Sequence, residues 1–252
     1  MAQRVLVTGM SGLIGGVVRA ELESDYELSA LNRSDVPGIT TLRGDLADLE
    51  AIRPAFEGQD VVVHLAAKSG EAFTWEEFRD TNLVGTYNVL EAAREAGVKR
   101  VVYASSGATV SGWESEEPYK AIVEARYDDV PDSWPIITHT MATRPSGIYA
   151  STKVWGESIG RRFADTFGIS VICLRIGYVN AENRPTHPRH YSVWCSQRDI
   201  AQMVARAIAA PAEVGFDIFF VLSENKWGYR DLEHPRQVLG FEPRDRAEDH
   251  RQ

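Results

Sequence analysis

The sequence predicts an α/β fold built on a doubly wound parallel sheet. Three observations carry that expectation: short β-branched runs alternate with helix-length amphipathic segments, a three-glycine turn joins the first strand to the first helix, and further glycines stand just past later helices. The first strand is Arg4 to Val7, with a helix from about Gly12. Strands follow at Tyr26 to Leu31 and Ile39 to Leu42, then a helix near Asp48 to Phe56 and a strand at Asp60 to Leu65. A helix at Thr81 to Ala96 and a strand at Arg100 to Ser105 continue the series, and Gly58 and Gly97 mark the helix ends. After Ser106 the rhythm breaks. Residues 107–146 form an insertion rich in Trp, Pro, Asp and Glu, a length that points either to a lid or binding loop or to an ordered surface segment without a role. The series resumes with a helix at Ile148 to Phe167, a strand at Ile169 to Arg175, a helix at Gln197 to Ala209 and a strand at Phe216 to Leu222. The tail from about Gly228 reads as irregular with one short helix. The expected organisation is a main unit over 1–175 and a small C-terminal part over 176–252, interleaved in one compact body.

Composition bounds the partners. Hydrophobic residues at 44% and charged residues at 25% fit a folded enzyme-sized domain, and a net charge of −9 with no basic run argues against nucleic acid and anionic membrane. Cys173 and Cys195 form neither a disulfide framework nor a metal-binding pattern, so reduced thiols and no metal are expected. No apolar stretch reaches membrane-spanning length and no secretory signal is apparent, so a cytoplasmic protein is expected.

Ligands of doubly wound sheets bind beyond the carboxyl ends of the strands. The first such end is Gly9-Met-Ser-Gly-Leu-Ile-Gly15. There Gly9 permits a tight turn, Gly12 admits a pyrophosphate to the backbone, and Gly15 lets helix and strand pack closely, with Ser11, Leu13 and Ile14 completing the phosphate-binding turn. This is a Rossmann-like dinucleotide signature. The second strand ends in Leu31-Asn32-Arg33-Ser34, with no acid to meet a ribose hydroxyl. Arg33 and Ser34 suit a 2′-phosphate, which favours NADP, with NAD as the alternative if Asp35 neutralises Arg33.

Tyr149 and Lys153 stand four residues apart on one helical face. In a chain with 9 Tyr, chance supplies roughly 0.2 such pairs, so placement matters more than spacing. The pair opens the helix following the strand that ends in Ser105-Ser106. A phenol titrates near pH 10, and a neighbouring ammonium favours the phenolate needed to accept a proton from an alcohol.

These residues, together with Asp45-Leu46, His64-Leu-Ala-Ala67, Asn82 to Ala92 and Tyr103-Ala-Ser-Ser106, resemble the extended short-chain dehydrogenase/reductase (epimerase/dehydratase) family in order and spacing over nearly the whole chain. The resemblance implies Tyr149 as acid/base, Lys153 on the nicotinamide ribose, Ser106 on the substrate oxygen, and Asn82 in a proton relay near Lys153. It also implies Asp45 and Leu46 near adenine, with Leu65, Ala66, Ala67 and Ile176 lining the cofactor. Within the family the chain is similar to the uronate dehydrogenase and sugar dehydrogenase group, through Leu174-Arg-Ile-Gly177, Ser192-Val-Trp-Cys-Ser196 and Leu239-Gly-Phe-Glu-Pro243. That similarity implies an oxidoreductase acting on a sugar, sugar acid or sugar phosphate. Arg189 would clamp an acidic group, and Ser69, Ser106, Gly107, Tyr149 and Tyr178 would line the substrate.

Two departures stand out: Gly107-Ala108 replace an Asn-His substrate pair of that group, and the stretch from Trp113 to Arg144 is longer. Trp113, Tyr119 and Trp134 there either cover a sugar face or serve packing. The competing readings are a nucleotide-sugar epimerase or dehydratase with bound NAD, against which the short stretch after Arg175 argues, and a non-catalytic dinucleotide sensor, which would not need Tyr149 and Lys153. Family members often form homodimers through the helices matching 81–96 and 148–167.

Overall fold

The computed structural model describes residues 2–70 and 72–251. Its sheet comprises β1 (Arg4–Thr8), β2 (Glu27–Asn32), β3 (Thr40–Arg43), β4 (Val61–His64), β5 (Arg100–Ser106), β6 (Ser170–Ile176) and β7 (Phe216–Val221). The spatial order is β3-β2-β1-β4-β5-β6-β7, and every neighbouring pair is parallel. The order reverses beside β1, which pairs with β2 on one side and β4 on the other, and the crevice at their carboxyl ends is where such sheets bind ligands.

The helices are α1 (Leu13–Leu22), α2 (Leu49–Ile52), α3 (Trp75–Phe78), α4 (Gly85–Glu95), α5 (Tyr119–Val123), α6 (Ile148–Phe167), α7 (His190–Val193), α8 (Gln197–Ile208) and α9 (Glu233–Leu239). Alternation along the strands divides the core. Val5 and Val7 of β1 pack with Val18, Leu22, Ile200 and Met203 of α1 and α8, whereas Leu6 joins Ile52, Val89, Leu90 and Phe163 of α2, α4 and α6. Because helices cover both faces, β4 and β6 are buried at every residue, and their apolar runs, Val61 to Val63 and Val171 to Leu174, are unbroken rather than alternating.

The structure departs from the sequence expectation in two places. The helix expected from Thr81 begins earlier: Thr74 and Glu77 form a reciprocal capping box at α3, and a π-helical turn over Arg79–Val84 carries the chain into α4. The tail holds a 3-10 turn, Ala247–His250, besides α9, and the four-residue α7 was too short to show a period.

Of the alternatives the sequence left for the insertion, an ordered segment is what the structure shows. Val110, Tyr119, Ile122 and Ile137 form a separate core with Val193, Phe220, Leu222 and Tyr229, and Ile137 bridges the backbone of Arg230. Truncating fully buried Ile137 to Ala would cost about 2–5 kcal/mol. The aromatic side chains of the insertion serve that packing. Tyr119 lies 5.3 Å from Tyr229, Trp134 stacks on Trp227, and Trp113 donates to the Ala142 carbonyl. Among the described residues no helix is long and apolar enough to cross a membrane.

Candidate active site

At the end of β1 the backbone of Gly9 adopts φ +73°, and a Cβ there would lie 2.8 Å from the backbone of Ala66. A Cβ on Gly15 would lie 2.5 Å from the Gly9 carbonyl, so helix and turn approach as the sequence pattern requires. Gly12 precedes α1 without any side-chain cap, which leaves the first helical N–H groups, at Leu13 and Ile14, directed at an anion site; Ser11, Gly12 and Leu13 are exposed. The Thr8 hydroxyl contacts His64 Nδ1 at 2.7 Å and accepts from the Ala66 amide at 3.2 Å, which fixes Leu65, Ala66 and Ala67 beside Gly9. Burial, with a smaller push from the Lys153 charge, drives the His64 pKa down to about 3, so the ring is neutral.

At the end of β2, Asn32 is buried, and neither its Oδ1 nor its Nδ2 has a hydrogen-bond partner among the described residues. A buried, wholly unpaired amide is costly unless a ligand completes it. Arg33 and Ser34 are exposed beside it. Asp35 is not the partner of Arg33; it is paired with Arg43, whose Nε donates to Oδ1 at 2.8 Å. Asp45 is exposed and accepts from the Ala47 amide, while Leu46 is buried with its carbonyl bound by Asn88. The glycine cradle, free helix terminus and orphaned Asn32 amide fit a dinucleotide.

On α6, Tyr149 and Lys153 share one face. Lys153 is buried, donates to the Ala104 carbonyl at 2.7 Å, and its Nζ lies 5.8 Å from the centre of the Tyr149 ring. Burial pulls its pKa down to about 7, against the opposing charges of Glu157 and Cys173. The Tyr149 pKa is raised by burial and eased down by a hydrogen bond from Ser106. In the protein alone desolvation dominates, and the ammonium is bound to a carbonyl rather than to the phenol. Ser106 also accepts from the Ala108 amide at 3.1 Å. Below the site, Glu157 accepts from Ser105 at 2.6 Å and from Arg175 through both oxygens at 2.9 and 2.8 Å.

Asn82, within the π-helical turn, binds the Lys68 backbone through both Oδ1 and Nδ2 and donates to Thr152 at 3.0 Å. Its contacts fasten the loop after β4 to α6, next to Lys153. Ser69 lies exposed in that loop, and Ile176 is buried at the end of β6.

Tyr178 is 38% exposed and stacks on His190 at 3.7 Å. Gly107 is buried, and a Cβ on it would collide with the guanidinium of Arg230. Position 107 is therefore kept without a side chain by the arginine that fills the space. Arg189 is not a lone loop charge. It forms a two-bond ion pair with Glu114 of the insertion at 2.6 and 2.7 Å, and Glu114 also accepts from Tyr229 and Arg230. Glu114, Tyr229 and Arg230 were not among the sequence candidates; Glu114 is 75 residues from Arg189 and 116 from Arg230, and no motif links them.

Elsewhere, His139, Asp217 and His234 bring their polar atoms within 4.8 Å of one another. The two imidazoles are stacked 3.8 Å apart and nearly parallel, so their in-plane lone pairs do not converge on one ion, and His234 is already within 3.0 Å of Asp217.

The sequence pattern of the NAD dependent epimerase/dehydratase family matches residues 5–204. L-arabinose 1-dehydrogenase (NAD(P)(+)) of Haloferax volcanii is 30% identical over 97% of this chain and 97% of its own. Uronate dehydrogenase of Agrobacterium fabrum is 33% identical over 98% of this chain and 86% of its own. Among solved structures, a mutant of uronate dehydrogenase from Agrobacterium tumefaciens complexed with NAD superposes with a TM-score of 0.82 at 30% identity, covering 99% of this chain and 87% of that one.

Proposed function

This chain belongs to the NAD dependent epimerase/dehydratase family, and from that premise we propose that it is an NAD(P)-dependent dehydrogenase that moves a hydride between nicotinamide and a hydroxyl or carbonyl of a small sugar, sugar acid or sugar phosphate. The observation that carries this reading is the meeting of Tyr149, Ser106 and Lys153 at the carboxyl end of β5, at the same end of the parallel sheet as the Gly9–Gly15 turn. The nicotinamide, when bound, supplies the hydride acceptor or donor. Tyr149 takes the hydroxyl proton in oxidation and returns it in reduction, and Ser106 orients the reacting oxygen. Lys153 contributes positive charge near the phenol and a donor for the ribose, and Asn82 secures the loop that faces it. The relatives' printed names, arabinose and uronate dehydrogenases, support a small sugar as substrate.

NADP is the proposed preferred form. Arg43 occupies Asp35, which removes the neighbour that would neutralise Arg33 and leaves Arg33 with Ser34 for a 2′-phosphate. Asn32, Asp45, Leu46, Leu65, Ala66, Ala67 and Ile176 complete the cofactor wall. Ser69, Gly107, Tyr178 and Arg189 form the sugar side. Exposed apolar residues on α4 and α6, Tyr87, Ile148 and Phe167, support a homodimer through those helices, and two free buried thiols accord with a cytoplasmic setting.

The test is an assay of aldoses, uronates and sugar phosphates with NAD and NADP, read by nicotinamide absorbance. Cofactor reduction with at least one small sugar is expected. Dinucleotide binding with no turnover across the panel would remove the dehydrogenase reading.

A further inference from the structure

We propose that Glu114 is a positioning residue that aims Arg189 at an anionic group of the substrate, with Arg230 keeping the cluster cationic. The inference rests on the dehydrogenase reading and adds to it the machinery that selects an acidic sugar.

Glu114 grips only one edge of the Arg189 guanidinium: Oε2 meets Nε at 2.6 Å and Oε1 meets Nη2 at 2.7 Å. The Arg189 side chain is 32% exposed, and its Nη1 donates to no group among the described residues. A planar guanidinium held in this way has one fork fixed and a second fork presented, so a carboxylate or phosphate meets donors whose orientation is already set. An arginine without that brace would lose more side-chain freedom on binding.

Charge settles what the open edge prefers. Oε1 of Glu114 also accepts from the Tyr229 hydroxyl at 2.6 Å and from Arg230 Nη2 at 3.2 Å. Burial opposes the charge on Glu114, yet the bonds and charges of Arg189, the charge of Arg230 and the Tyr229 bond carry its pKa below the ordinary carboxylate value. Two guanidinium groups thus face one carboxylate and one neutral phenol, and the cluster keeps a net positive charge. A neutral sugar leaves that charge unbalanced, while a carboxylate or phosphate balances it.

The cluster also lies beside the reacting groups. The Arg230 side chain is 1% exposed, its Nε is buried without a partner, and its guanidinium occupies the space that any side chain at position 107 would need. Gly107 follows Ser106 directly. Buried this deeply, Arg230 acts through its field and through Glu114 rather than by touching the sugar.

The test compares a neutral aldohexose, the uronate of the same configuration and the corresponding 6-phosphate. Turnover is measured for the wild-type and Glu114→Gln proteins, and equilibrium binding is measured on the dinucleotide-loaded Tyr149→Phe protein. The wild type is expected to favour the uronate or the phosphate by about tenfold or more in kcat/KM. Glu114→Gln is expected to raise KM for that acid about tenfold while kcat moves less than about twofold, a split that general destabilisation would not produce. A wild-type preference for the neutral aldose, or a KM for the acid that Glu114→Gln leaves unchanged or lowers, overturns the proposal. Should Glu114→Gln fail to fold, the wild-type preference and the binding series decide the matter. Tighter acid binding without turnover of any sugar supports the cluster and rejects the dehydrogenase reading; equal binding of acid and neutral sugar rejects the cluster.

Discussion

Lys153 donates from Nζ to the Ala104 carbonyl at 2.7 Å, and that bond ties the start of α6 to the end of β5. It also explains how a lysine that is 3% exposed remains tolerable: the ammonium has a backbone acceptor, and Glu157 one turn further along the helix opposes the loss of its charge. The ammonium is thus held by the backbone, and Ser106 is the side chain that eases the Tyr149 phenol down against burial. Because burial raises the phenol, alcohol oxidation is expected to accelerate as pH rises from 7 towards 9, as the fraction of phenolate grows. Initial rates across that range check this, and a rate that falls steadily with pH would contradict it.

Arg33→Ala is expected to lower kcat/KM with NADP by about 10- to 100-fold relative to NAD, the worth of a charge-assisted hydrogen bond. The basis is the Asp35–Arg43 pair, which leaves Arg33 without a carboxylate. Paired kinetics with the two dinucleotides measure the ratio, and an unchanged ratio would assign 2′-phosphate selection to another residue.

Gly9→Ala is expected to weaken dinucleotide binding at least about tenfold and to destabilise the fold by about 1–3 kcal/mol. The new Cβ meets the Ala66 backbone at 2.8 Å from a left-handed φ of +73°. Fluorescence titration with the reduced cofactor and urea melts separate the two effects. Retention of both would mean that the loop relaxes more easily than its packing indicates.

His64 couples stability to acid. It titrates near 6.5 when unfolded but only at about 3 in the fold, so between those values the unfolded chain binds the extra proton. Stability therefore falls as pH drops from 6.5, by up to about 1.4 kcal/mol per pH unit from this fully buried ring. His190, lowered to about 4 by burial and by its neighbours His187 and Arg189, acts in the same direction. Urea midpoints at pH 7 and pH 4.5 should differ more for the wild type than for His64→Gln.

The parts of this site that the sequence disclosed are the local ones. Gly9, Gly12 and Gly15 declare themselves because one turn needs all three, and α6 was legible over its whole length because Gly168 ends it in a left-handed cap. Asn32 and Arg33 were legible as the end of a strand. The capping box at Thr74 and Glu77 was also available to sequence reading, but the π-helical turn that follows breaks the 3.6-residue period and hid the connection to α4. Glu114, Tyr229 and Arg230 were not legible. Their bonds join the insertion to the C-terminal tail across more than a hundred residues, and only the folded chain reveals that Gly107 is small because Arg230 stands beside it.

The proposed chemistry turns on the Tyr149 hydroxyl, and the most direct measurement is the Tyr149→Phe variant assayed for both turnover and dinucleotide affinity. The phenyl ring keeps the packing and loses only the hydroxyl. A fall in kcat of about 10²- to 10⁴-fold is expected, with cofactor affinity unchanged within about threefold. Sugar oxidation that continues at the wild-type rate in this variant would contradict the acid/base role of Tyr149.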